Sequence, residues 1–231
     1  MNSKKKVSRV AGALYLVLIV FGVFAEFFVR AKLVVYGDAE TTLNNISNSE
    51  QLFRTGFVFD LLMLLVYFFL PMALYHLLAS VNKKVVAIMV LSVVTAVAIM
   101  FVNMLHYYVV IIVSDNKDYL TAFDQDQRNA LGMVFIYLYH KGYMIAQVFF
   151  GLWLLPLGYL VFKSGFSPRL LGILLIIAGL EWMSDSFTYF LFPEVSKMIS
   201  PFILISAALI EFSFCFWLLI IGPKRQKENS K

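Results

Sequence analysis

The apolar positions of this chain gather into six long runs, at approximately residues 10–29, 53–79, 85–113, 129–161, 169–192 and 201–221. Each is about 20 residues or longer, which is what a helix needs to cross a hydrocarbon core roughly 30 Å thick. No water is available there to satisfy backbone N–H and C=O groups, so runs of this length are read as helices. Polar segments separate them: short turns at 80–84 and 162–168, and two longer loops. In the first loop, "GDAETTLNNISNSEQLF", Asp38 stands where it would cap a short helix leading back to the membrane. The second, "DNKDYLTAFDQDQRNALG", is acidic, with apolar Tyr119, Leu120 and Phe123 expected at the interface. Pro71 and Pro156 fall late in the second and fourth runs, where a kink is expected. The first run follows "KKKVSR"; it is longer than a signal-peptide core and has no A-x-A-like cleavage site, so it is expected to be retained. No internal repeat is visible. The pattern predicts an all-α, polytopic integral membrane bundle of six transmembrane helices, organised as one membrane domain over 1–231.

Composition agrees with the pattern. Of 231 residues, 61% are hydrophobic and only 14% charged, against about 25% charged in an average soluble domain. The 23 Phe and 12 Tyr suit lipid-facing helices and interfacial belts. The single Cys215 permits no intramolecular disulfide. Net charge is +5, which raises the question of nucleic acid, but the placement of the charges answers it. The N-terminus, the 80–84 and 162–168 turns and the tail "KRQKENSK", with Arg9 and Arg169 beside them, hold twelve Lys and Arg, whereas the opposite segments hold six. Such a bias is a topology signal that places both termini in the cytoplasm, and the tail is suited to anionic lipid rather than to nucleic acid.

The chemistry lies in the polar residues inside the runs: Glu26, Asp60, His106, His140, Lys141, Glu181, Asp185 and Glu211. An ionisable group in hydrocarbon costs a few kcal/mol or more, so each needs a partner or a function. Counting about 1.5 Å of rise per residue from the outer ends, Glu26 lies roughly 5 Å deep, Asp60, His106 and Asp185 roughly 10 Å, and His140, Glu181 and Glu211 roughly 15 Å. Glu181 and Asp185 share a helix face, as do Asn103 and His106. His140, Tyr143, Gln147 and Gly151 form a polar stripe, and Gly12, Tyr15, Gly22 and Glu26 form another. His140 is therefore expected to face the bundle interior near Asp60 or Asp185, with Lys141 to one side, pairing with an acid of the fifth helix or reaching outer water. Plainer roles stand beside these: Glu26 pairing with Arg30 four residues on, Lys141 snorkelling, His106 bonding a neighbouring helix, and His76 lying at the interface. The chain has no phosphate-binding glycine loop, no C-x-x-C, no H-E-x-x-H and no G-x-S-x-G. No cofactor is indicated, and two His on different helices leave a metal site undefined.

Several blocks resemble the bacterial membrane family named domain of unknown function 4386: "RVAGALYLVLIVFGVFAEFFVRAKLVVYGDAETTLNNI", "LFRTGFVFDLLM", "LYHLLASVNK", "YLYHKGYMIAQVFFGLWLLPLGYLVFKSGFSPRLLGILLIIAGLEWMSDSF" and "IEFSFCFWLLIIG". The resemblance implies a polytopic protein of the bacterial plasma membrane and no particular activity. It places Asp60, His140, Asp185 and Glu211 in recognisable blocks, whereas the segment around Glu181 departs from the pattern.

The leading expectation is binding or transport of a small or lipid-like ligand through an outward-leaning polar pocket, with membrane lipids as partners. Asp60, His140, Asp185 and Glu211 would line it, with His106, Glu181 and Lys141 close by. Two alternatives stand: a metal-assisted intramembrane hydrolase using His106 and His140 with Asp60 or Asp185, and a non-catalytic accessory or structural subunit.

Overall fold

A computed structural model describes residues 3–114 and 120–223 of the chain. The described residues form helices and no strand. Helix α1 runs Ser3–Val23 and continues through a π-helical stretch, Phe24–Arg30, into a last turn, Ala31–Leu33. Short α2 spans Ala39–Asn48; α3 spans Glu50–Leu78, α4 Lys83–Ser114, α5 Gln125–Lys163 and α6 Arg169–Leu191. Helix α7 spans Pro193–Phe216 and ends in a second π-helical stretch, Trp217–Ile221. Six of these are long and apolar enough to cross a membrane. The expected interfacial Tyr119 and the basic tail from Lys224 onward lie outside the described residues.

The helices start and stop where local chemistry tells them to. Asp38 caps α2 as expected: its carboxylate accepts from Thr41 N at 2.9 Å and from Thr41 Oγ1 at 2.7 Å, which holds its pKa below the usual carboxylate range. Helix α5 begins four residues before its apolar run, because Asp124 and Gln127 form a reciprocal capping box: Gln127 N donates to Asp124 Oδ1 at 2.8 Å and Asp124 N to Gln127 Oε1 at 3.0 Å. Helix α7 likewise begins at Pro193 rather than near 201. Proline at the first helical position loses no hydrogen bond, and Pro201 is carried inside the helix. Pro71 and Pro156 also sit within unbroken helices. The turn after α5 needs Gly165, whose φ of +69° is strained for any residue with a Cβ.

The chain groups into two compact units, Met1–Val17, Val66–Val97 and Met144–Lys231 in one, Leu18–Leu65 and Ala98–Tyr143 in the other. The core of the first is aromatic: Trp153 meets Tyr15 at 5.9 Å and Tyr67 at 5.7 Å between ring centroids, and Tyr15 meets Phe214 at 6.3 Å. Here α5 and α6 approach through glycines, Gly151 against Gly179 and Gly158 against Gly172, so closely that an added Cβ would strike backbone. In the second unit Phe53 packs on Tyr107, with ring centroids 4.4 Å apart. Amphipathic α2 buries Leu43 and Ile46 there, and Leu43 lies over Gly132. Large apolar side chains such as Phe28, Leu91, Leu105, Phe202 and Ile220 remain exposed, as a lipid-facing surface requires.

Candidate functional site

A buried ion pair is built in the second unit around a residue that the sequence offered only as a partner for Glu26. Arg30, in the π-helical stretch of α1, donates through Nε to Glu26 at 2.7 Å and through Nη1 to Asp60 on α3. The i,i+4 pairing with Glu26 was legible in the chain; the pairing with Asp60 was not. Asp60 is 1% exposed and the Arg30 side chain 15%, while the Glu26 side chain is 55% exposed. The guanidinium lies against two rings, 5.9 Å from the centroid of Tyr107 on α4 and 5.6 Å from that of Tyr139 on α5, geometry suited to cation–π attraction.

This set is incompletely satisfied. Asp60 Oδ1 is buried without a hydrogen-bond partner, and Tyr107 Oη, also buried, lies within electrostatic reach of the Arg30 guanidinium. Beside them the polar contacts are closed: Asn103 Nδ2 donates to Tyr139 O at 2.8 Å, and Asn103 Oδ1 lies 3.0 Å from His106 Nδ1. Gly142 makes room for that amide, since a methyl group there would run into it. The hydrogen bond of His106 is thus made within its own helix, to the asparagine that bonds across to α5. His140 is half-buried, with its ring 6.0 Å from that of Tyr36, and Lys141 is exposed.

The other candidate carboxylates belong to the first unit. Glu211 on α7 accepts from Tyr15 Oη at 2.5 Å and from Trp182 Nε1 at 2.9 Å, so each oxygen has a donor. Asp185 on α6 accepts from Gln147 Nε2 at 2.8 Å and from Ser200 Oγ. Gln147 also donates to Trp182 O at 3.1 Å. Glu181 accepts from Ser206 Oγ at 2.9 Å, leaving its buried Oε2 without a partner. Tyr15 and Gln147 stood in the polar stripes of the sequence. Trp182, Ser200 and Ser206 carried no signal there, because hydroxyls and indoles are common in membrane helices.

Two open concavities have linings that include none of these residues. One is lined by Lys4, Ser80, Val81, Tyr159, Lys163, Ser164 and Phe166, the other by Pro168, Leu171, Ser213, Phe216, Trp217, Ile220 and Ile221. Among the described residues no three His, Cys, Asp or Glu side chains gather in a way that could hold a metal ion.

With the geometry in view, comparison with known proteins places the chain. The profile of the family described as domain of unknown function (DUF4386) matches residues 10–222. The chain belongs to this family. The match takes in Arg30, Asp60, Tyr107, Tyr139 and the three carboxylates of the first unit, and DUF4386 carries no assigned activity in its description. An uncharacterized protein of Archaeoglobus fulgidus is 36% identical over 80 residues, which is 35% of this chain. The aligned part spans 46% of that relative's own length. No solved structure matches. This DUF4386 member is a multi-pass membrane protein, and its description stops there.

Proposed function

We propose that this protein is a single-domain component of the bacterial plasma membrane, with both termini cytoplasmic, that binds a small or lipid-like ligand at the Arg30–Asp60 centre. The observation that carries the reading is the buried, unpartnered Asp60 Oδ1, beside a guanidinium that lies against the rings of Tyr107 and Tyr139. Native proteins rarely leave such groups unmet without a reason, and in hydrocarbon the cost is larger. Glu26, Arg30 and Asp60 together carry one net negative charge when ionised. The missing partner is then a hydrogen-bond donor, an ammonium or a hydroxyl, for that carboxylate oxygen.

A thermal-shift screen of the purified protein in neutral detergent tests this with ethanolamine, spermidine, glycerol and short-chain phosphatidylethanolamine. We expect at least one to stabilise the wild type and to lose its effect in Asp60→Asn and Tyr107→Phe. Tyr107→Phe removes only a hydroxyl beside the ion pair and leaves both charges in place, so it keeps the test sound if Asp60→Asn folds poorly. A response identical in wild type and both variants, or no response at all, overturns the reading. The second reading, a non-catalytic accessory subunit, is favoured by Glu211 and Asp185, whose oxygens are fully occupied by neighbouring helices.

A further inference from the structure

We infer that the concavity bounded by Lys4, Ser80, Lys163 and Phe166 is a binding site for the phosphodiester of an anionic lipid headgroup. It lies in the first unit, apart from the Arg30 centre, and does not depend on that centre's role. Its volume is about 570 Å³, within the range of small-ligand sites.

Each lining segment comes from a helix end. Lys4 stands in the first turn of α1, Ser80 and Val81 in the turn between α3 and α4, and Lys163 closes α5, followed by Ser164 and Phe166 in the turn to α6. Such segments bound apolar spans and therefore lie at headgroup level, where basic pockets between helices hold anionic lipids.

The lining chemistry fits an anion. Among the described residues it includes two ammonium groups and no carboxylate. Ser164 Oγ already donates to Val161 O at 2.8 Å, so the lysines and the hydroxyls of Ser80 and Tyr159 are side-chain donors left for a guest. Tyr159, 40% exposed, and Phe166, stacked on Trp217 with ring centroids 6.3 Å apart, supply the aromatic border that an ester and glycerol backbone would meet. A free phosphate would use the lysines and hydroxyls but bury nothing against the apolar faces of these rings, so the lipid is the better match.

Native mass spectrometry of delipidated, full-length protein tests the assignment, with phosphatidylglycerol, phosphatidylcholine and inorganic phosphate as probes. We expect phosphatidylglycerol to bind more tightly than phosphatidylcholine, and the Lys4→Gln/Lys163→Gln double variant to weaken it on the order of tenfold. The charge-matched Lys83→Gln/Lys84→Gln variant, altered outside the lining, should keep wild-type affinity. Both lysine pairs are exposed, and an unchanged melting temperature in neutral detergent verifies folding. Equal losses in the two double variants would reduce the effect to general surface charge and overturn the site. So would the absence of any preference for phosphatidylglycerol, or its displacement by millimolar phosphate.

Discussion

At the scale of single residues, the informative contrast is between Glu211 and Asp185, whose oxygens are all matched, and Asp60, which like Glu181 keeps one buried oxygen unmatched. Glu211 takes a phenol and an indole donor, and Asp185 an amide and a hydroxyl, so both serve as ties between helices. Asp60 takes the Arg30 guanidinium on one oxygen and nothing on the other. Removing one member of a buried ion pair leaves the other uncompensated, so Arg30→Ala should destabilise the protein by about 3–5 kcal/mol. The double replacement Arg30→Met/Asp60→Leu should cost less than Arg30→Ala, because it leaves no orphan charge. Glu26→Ala, at an exposed position, should fall within about 1 kcal/mol of wild type. Reversible unfolding in mixed detergent measures all three. An Arg30→Ala protein as stable as wild type would show that the pair is not closed off from water.

At the scale of elements, the contact between α5 and α6 is set by four glycines in antiparallel register. An added Cβ would lie 2.5 Å from Gly172 O at position 158, and 2.8 Å from Gly151 O at position 179. Backbone cannot yield as a side chain can, so Gly158→Ala and Gly179→Ala should each cost about 1–3 kcal/mol through overpacking. Gly22→Ala is the contrasting case, since its Cβ would meet only the Met63 sulfur at 3.0 Å, the flexible end of a side chain, and it should be near neutral. If thermal unfolding showed all three equally tolerated, the close approach of α5 to α6 would be in doubt. The π-helical stretch of α1 matters at this scale too. The stripe Gly12, Tyr15, Gly22 and Glu26 assumes a constant α-helical step, which the wider turns at Phe24–Arg30 break. Tyr15 is fully buried, whereas Glu26 is exposed.

At the scale of the whole molecule, the proposed topology takes the six candidate spans and the Lys/Arg bias to put both termini on the cytoplasmic side. A fluorescent protein fused after Lys231 should therefore fluoresce in a bacterial host, and alkaline phosphatase inserted in the loop at Gly37 should be active. Phosphatase activity from the C-terminal fusion would reverse the orientation.

What the chain determined alone follows from hydrocarbon itself. A run of about 20 apolar residues must satisfy its own backbone, so number, type and approximate place of the spans were readable without any knowledge of packing. Short-range chemistry was equally legible: the Asp38 cap and the Glu26–Arg30 pair depend on residues three or four apart. Helix starts were readable only in part, since an apolar run marks where lipid contact begins and not where the capping box at Asp124 or the proline at 193 begins the helix. The partners of the buried charges were decided by tertiary structure. Arg30 meets Asp60 across 30 residues, and Tyr15 meets Glu211 across 196. Periodicity specifies which face of a helix is polar. It says nothing of how far that helix is rotated or shifted against its neighbours, and a hydrogen bond between helices is won or lost on an ångström of that shift.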